Sequence, residues 1–347
     1  KVPFVLPKDP GEYALTVSFH LKSDTAYAKH GHEIAFGQQV FTVKADVVAK
    51  PANRGSIEVI RGRNNIGVKG EHFDALFSEP SGGLVSYRYG GRELLKGAIK
   101  PNFWRAPTDN DYGNLMPQRY AQWKIASLYF SHKYWDKGLM QGIRPQLTVL
   151  SDCAVITYRY LMPTSPASEC SLTYKVYGDG EVQVTLAYDP VRELGDMPEF
   201  GVMFKMDADY DKVEWYGLGP EETYADRLTG ARLGFYQAEA GKLPAYLMPQ
   251  ECGCHAGVRY AKVTDGQGRG LKFSGDQMYF SALPYTPHEL ENALHPYELP
   301  QTHYTVVRAA LGQMGVAGDD SWGALTHDEF LLDTGRRMEF TFSFTGC

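Results

Sequence analysis

From Ile57 to the last residue, segments of alternating apolar and polar residues follow one another with hardly a helical spacer, and no other feature limits the fold so tightly. IEVIRG, HFDALFS, GLVSYRYGG, CAVITYRYL, SLTYKVYG, EVQVTLAYD, KVEWYGLG and MEFTFSF each turn one set of side chains inward, because successive residues of a strand face opposite sides. The last of these places Phe340, Phe342 and Phe344 together on one side. Strands packed so densely leave no room for the helices that join parallel strands, so an all-β fold is expected, a large antiparallel sandwich. The 36 glycines and 20 prolines are scattered along the chain, as tight turns between short strands require. With 43% hydrophobic and 13% aromatic residues among 347, the chain can bury a large core.

The beginning of the chain reads differently. Residues 13–19 and 38–43 alternate as strands do, with the polar stretch HGHEIAFG between them, yet two strands cannot close a sandwich. The pattern then lapses over residues 44–56, which contain Pro51 and Gly55. The expected division is residues 1–48 as the tail end of a β-sandwich domain, 49–56 as a linker and 57–347 as the main domain. Helix is expected in two places. Over residues 117–128, Tyr120, Trp123, Ile125, Ala126 and Leu128 fall at spacings compatible with one buried face. Thr286-Pro287-His288-Glu289 matches a capping box that opens a short helix.

Several function classes are set aside by composition and spacing. A formal charge of −6, with Lys and Arg interspersed among acids, offers no basic stripe for nucleic acid. No apolar run approaches the roughly 20 residues that span a bilayer, so no membrane partner is expected. The opening KVPFVLPKDPGEY lacks both Met and the regions of a signal peptide, so it reads as a cut within a longer chain and leaves cytoplasm and periplasm equally open. Cys252, Cys254 and His255 invite a zinc site, but no second pair or histidine follows at ligand spacing. The five cysteines are mostly expected as free thiols. Residues 207–211, Asp-Ala-Asp-Tyr-Asp, open like a calcium loop but place Lys212 and Leu218 where the turn glycine and the bidentate glutamate belong. Glu221 and Glu222 are adjacent and so point to opposite faces of an extended chain, unlike a glycosidase pair, and solvated side chains are expected there. His288 and His295 stand seven apart, not four as on a zinc-protease helix, and capping or surface roles are expected for them.

Five stretches carry the most specific information. They are PNFWRAPTDNDYGN (101–114), VEWYGLGPEETYADR (213–227), LMPQECGCHAGVRYAKV (247–263), FSALPYTPHELENALHPYELP (280–300) and GQMGVAGDDSWG (312–323). In the first, Trp104 reads as a packing residue, and Arg105, Asp109, Asn110 and Asp111 as ions and amides that tie down a turn. In the last, Gly318, Asp319, Asp320, Ser321 and Gly323 form a polar loop between two strands, and Trp322 sits in it. An indole on such a loop can cover the C–H face of a pyranose, or it can fold back onto the sandwich.

Taken in order, the five stretches resemble the small-chain region, domain 5, of large β-galactosidases of the LacZ type, glycoside hydrolase family 2. The resemblance implies a galactose mutarotase-like β-supersandwich for residues 57–347 and the final strands of an immunoglobulin-like domain 4 for residues 1–48. It implies a retaining parent enzyme that removes terminal β-D-galactose, with both catalytic glutamates on an upstream TIM-barrel domain, the expected partner of this chain. No catalytic residue, cofactor or metal is therefore expected here, and the magnesium and sodium ligands of the parent fall in the missing domains. A homo-oligomeric parent is implied as well. The residue matching Trp322 reaches into the active site and stacks on the β-galactoside, with Gly318, Asp319, Asp320 and Ser321 supporting it. The other readings left open are a free-standing carbohydrate-binding module and a mutarotase-like epimerase, since a shared fold does not carry an activity with it.

Overall fold

A computed structural model describes residues 4–44, 54–129, 144–320 and 322–347, and the backbone of residues 133–136 and 139–142. The chain divides into two compact units, Lys1–Asn53 and Arg54–Cys347. Residues 49–53 of the expected linker lie outside the described residues. In the first unit, β1 (Gly11–His20) pairs antiparallel with β2 (Glu33–Val43). Strand β2 starts at Glu33, so most of the stretch expected to connect the strands is itself strand. Phe41 is the centre of what little packing a hairpin allows, stacked on Tyr13 at 5.7 Å and edge-on to Phe4 at 5.9 Å.

The second unit opens with Arg54, whose guanidinium pairs with Asp179 at 2.9 Å and Glu181 at 3.1 Å. Five strands then form a meander: β3 (Glu58–Arg61), β4 (Asn65–Lys69), β5 (Phe73–Ser78), β6 (Gly83–Tyr89) and β7 (Arg92–Glu93). Next come β8 (Lys100–Asn102), three short helices α1 (Asp109–Gly113), α2 (Met116–Arg119) and α3 (Ala121–Tyr129), and the hairpin β9 (Lys133–Asp136) and β10 (Leu139–Gly142). The remaining strands are β11 (Gln146–Val149), β12 (Cys153–Met162), β13 (Ser168–Tyr177), β14 (Val182–Tyr188), β15 (Glu199–Asp207), β16 (Lys212–Gly219), β17 (Arg232–Glu239), β18 (His255–Thr264), β19 (Gly270–Leu283), β20 (Tyr304–Gln313) and β21 (Met338–Gly346). With β8 they make a twelve-stranded antiparallel sheet among the described residues, ordered β11-β12-β13-β14-β21-β19-β18-β16-β17, with β20, β15 and β8 branching from β19. Helix α4 (Pro287–Asn292) follows β19, capped by Thr286 and Glu289 as the sequence pattern indicates.

The small sheet covers one face of the large one. Phe77 meets Tyr174 edge-on at 5.2 Å and Tyr87 meets Phe344 at 5.2 Å, while the Tyr158 and Tyr160 hydroxyls donate to the carbonyls of Ser78 and Gly82. The alternation of β21 sends Phe340, Phe342 and Phe344 into this core, all three buried. Strand β19 is the pivot of the architecture. Its first half pairs with β21 and its second half with β20, and the change of partner falls near Gln277, which adopts a positive φ of 51°. One long strand thus divides the sheet into two arms.

The helical region departs from the expected single helix at 117–128. Two helices, α2 and α3, meet at Tyr120, which leaves helical geometry with φ at −114°. The Tyr120 hydroxyl donates to Asp196 at 2.8 Å and the Trp123 indole N–H donates to the Asp196 carbonyl at 2.7 Å, so the buried row runs through Tyr120, Trp123 and Ala126. Ile125 and Leu128 face outward instead.

On the β20 arm lies a buried ionic cluster. Arg308 on β20, 3% exposed, donates to Glu199 on β15 at 2.9 Å, to Ser281 on β19 at 3.1 Å and to Glu251. Gln313 and Asn102 add amide donors to Glu199, and the second oxygen of Glu251 accepts the Ala106 backbone N–H at 3.1 Å. Burial and the nearby Glu251 carboxylate push the Glu199 carboxyl up to about 7, against the pull of Arg308. Truncating Arg308 strands two acids in the interior. Arg308→Met is therefore expected to destabilise the protein by about 3–5 kcal/mol, the cost of breaking a buried pair by removing one partner, as measured by urea unfolding. A loss below about 1 kcal/mol, the ordinary worth of an exposed pair, is incompatible with this cluster.

Candidate functional site

The first specific stretch runs through the interior of the second unit. Phe103 packs against Trp123 at 5.9 Å and Phe200 at 6.3 Å, and the indole N–H of the fully buried Trp104 donates to Glu291 at 3.0 Å. Arg105 follows with 0% exposure. A guanidinium has five N–H donors, and all of those on Arg105 have acceptors: Asp111 twice, at 2.5 and 3.3 Å, and the carbonyls of Ala106, Met314 and Gly315 at 3.0, 3.4 and 2.8 Å. Burial opposes its charge most strongly, but the Asp111 carboxylate, together with Glu251 and Tyr224, holds the guanidinium above its ordinary pKa. The pair is built for position.

Asp111 also completes helix α1. The Thr108 hydroxyl accepts from the Asp111 backbone and the Asp111 carboxylate accepts from the Thr108 N–H at 2.8 Å, a capping box that places Asp111 at the third helical position. Asp109 is held at the other side of the helix start, where Gln250 donates to its carboxylate at 3.1 Å. Thr108 then reaches across to the Val316 carbonyl at 3.0 Å. Arg105 and Thr108 thus grip the backbone of residues 314–316, near the start of the last specific stretch.

Beyond that entrance the chain forms the glycine-rich loop. Asp226 accepts the Ala317 N–H at 2.8 Å, Asp319 pairs with His327 at 2.9 Å and raises its pKa, and Asp320 accepts the backbone N–H groups of Trp322 and Ala324 at 2.8 and 3.2 Å. Ser321 lies outside the described residues. Asn110 bonds the far side of the loop, at Gly323 and Ala324. Gly323 has φ +109°, and a Cβ there would stand 2.4 Å from the Gly113 carbonyl carbon, so helix α1 and the loop meet backbone on backbone. Trp322 itself is 86% exposed and does not fold back onto the sandwich. A fixed backbone presenting one free indole is a surface suited to the apolar face of a sugar.

Other candidates resolve into structure. Glu222 is buried, not solvated as expected, because it accepts from Arg227 at 2.9 Å, from the Gly253 N–H at 2.7 Å and from the Tyr246 hydroxyl; Glu221 points out to solvent. Cys252 and Cys254 are buried, and burial raises both thiols. His288 was expected at a cap or on the surface, yet both its ring nitrogens are buried without a hydrogen-bond partner among the described residues. Burial, with the nearby Lys124, lowers its pKa. His295 is exposed and pairs with Glu298 at 3.1 Å. Among the described residues no group of three or more His, Cys, Asp or Glu side chains could hold a metal ion.

His255 stacks on Trp215 with ring centroids 3.8 Å apart, and burial pushes its pKa down to about 4 from 6.5. Between those values the unfolded chain takes up a proton that the folded protein refuses, so this contribution to stability is complete above pH 6.5 and is lost as pH falls toward 4. His255→Phe keeps the stack and removes the proton. Its melting temperature should fall less than that of the unaltered protein between pH 6.5 and 4; parallel curves would show that His255 does not titrate as its burial requires.

The grip of α1 on the Trp322 loop has no local signature, since its hydrogen bonds join residues more than 200 positions apart. One part of it was readable, however: Thr108-x-x-Asp111 is a capping-box pattern of the same kind as Thr286-x-x-Glu289. The buried acids Glu199 and Glu251 lie outside or inside the specific stretches with nothing local to single them out.

Residues 69–344 match a family model described as the β-galactosidase small chain, and residues 1–42 match one described as β-galactosidase domain 4. The chain is 40% identical to a β-galactosidase of Halalkalibacterium halodurans, over 96% of its own length and 32% of that protein. It is 33% identical to a β-galactosidase small subunit of Latilactobacillus sakei, over 83% of its own length and 98% of that protein. A galactose 1-epimerase of Lactobacillus acidophilus NCFM has a similar fold, with a TM-score of 0.43 and 7% identity over 84% of this chain and 99% of that one.

Proposed function

Because the chain belongs to the β-galactosidase small-chain family, we propose that it is the non-barrel portion of a retaining β-galactosidase and brings the Trp322 loop to an active site whose catalytic carboxylates lie elsewhere. The chain spans about a third of the length of the larger β-galactosidases it matches, 32% and 31% in two of them. On this reading the remainder, with its TIM barrel, is the partner of this chain, and it holds the acid/base and nucleophile as well as any magnesium or sodium. The substrate is a terminal β-D-galactoside and the complete enzyme is a homo-oligomer.

The observation that carries the reading is the 86% exposure of Trp322 on a loop whose backbone is bonded from three directions, by Asp226, Asp320 and Asn110. A mobile loop would have to be ordered on binding, which weakens affinity; a backbone already bonded on either side of Trp322 lowers that cost. The loop's own acids do not act as catalysts in this scheme. Asp320 is engaged with the backbone and Asp319 with His327.

Trp322→Ala in the complete enzyme should raise KM for β-galactosides, or weaken use of sugar acceptors, by roughly threefold to tenfold, the worth of one aromatic contact. The effect on kcat should be smaller, as for a contact made equally in ground and transition states. Unchanged KM and acceptor use would rule out the platform. The chain by itself should leave aryl galactosides intact. Sustained turnover by it alone would place catalytic carboxylates within these residues and overturn the division of labour.

A further inference from the structure

We infer that Asn110 is the positioning residue for Trp322, acting through a two-point amide clamp on the backbone that follows the indole. Its Oδ1 accepts the Gly323 N–H at 3.1 Å and its Nδ2 donates to the Ala324 carbonyl at 2.9 Å. The two partners fix the orientation of the amide, because an N–H can only donate and a carbonyl can only accept. Asn114 adds a weaker bond of 3.4 Å to the same carbonyl.

Three features make Asn110 the controlling member of this contact. The residue is only 8% exposed and both bonds are partly buried, which limits competition from water. Its backbone is fixed by α1, which the buried Arg105–Asp111 pair and the Thr108 cap immobilise. The close approach of Gly113 to Gly323 brings the loop within reach of so short a side chain: a Cβ on Gly113 would stand 3.0 Å from the Trp322 carbonyl carbon and from Gly323. A longer side chain at position 110 would push the loop away, and a shorter one would not reach. Carboxylate in place of amide would keep the acceptor and lose the donor, facing the Ala324 carbonyl with like charge.

This inference rests on the sugar-platform reading of Trp322, but the clamp itself can be tested apart from it. In the complete enzyme, Asn110→Asp and Asn110→Ala are compared with the unaltered protein by hydrogen exchange at Gly323 and by steady-state kinetics on an aryl β-galactoside. Protection of the Gly323 amide should fall about tenfold in Asn110→Ala, the worth of one shielded hydrogen bond. KM should rise about threefold to tenfold, with kcat changed less. In Asn110→Asp the defect should be pH-dependent. Protonation of the introduced carboxyl restores a donor for Ala324, so protection relative to intrinsic exchange should recover as pH falls through about 4. A merely structural role would give no such recovery and would lower kcat and the melting temperature along with affinity.

Undiminished protection at Gly323 in both variants, or a defect in Asn110→Asp that does not respond to pH, overturns the clamp. Lost protection with unchanged KM upholds the clamp and removes the sugar reading of Trp322 instead.

Discussion

Arg308 is surrounded by protein and faces two carboxylates, Glu199 and Glu251, that come from different parts of the chain. An ion so deeply buried is tolerable only when its partners are held in place, and the partners are equally intolerable without it. That mutual dependence ties β15, β19 and β20 to the loop that carries Glu251. It also extends outward, since Glu251 accepts the Ala106 backbone N–H. The segment that leads from β8 to α1 is therefore anchored to the same cluster as the sheet.

A second buried ion continues the line. Arg105 donates to Asp111 and to the carbonyls of Ala106, Met314 and Gly315, so one guanidinium joins the start of α1 to the start of the glycine-rich loop. Asn110, one residue before Asp111, then holds the other end of that loop. Charge in the interior is used here for geometry: all five donors of Arg105 are filled, and the backbone at the start of the loop is held by an ion that never meets solvent. Among the described residues of the loop, Trp322 is the large side chain left exposed by this arrangement, which is the form a preorganised binding surface takes.

The buried carboxylates illustrate why a count of acids says little about chemistry. Glu199, Glu222 and Glu251 are all largely shielded and all engaged by arginines. Their environment suits structural ions, not groups that must approach a glycosidic bond. The exposed aromatic and the buried acids thus have the opposite exposure from what residue type alone would suggest.

Strand periodicity was legible because it is a local property: alternation in β21 announces which phenylalanines face inward, and Thr286 with Glu289 announces the start of α4. The order of motifs likewise placed the chain among β-galactosidases. The residues themselves left Trp322 undecided between core and surface, because an indole suits both, and only the family resemblance pointed it outward. Nor did the sequence reveal that Asn110 and Gly323, 213 residues apart, share a hydrogen bond, or that Arg308 is the charge that gathers Glu199 and Glu251. Alternation fixes which way a residue points along its own strand; only the path of the chain through space, including the change of partner along β19, decides which distant group it meets.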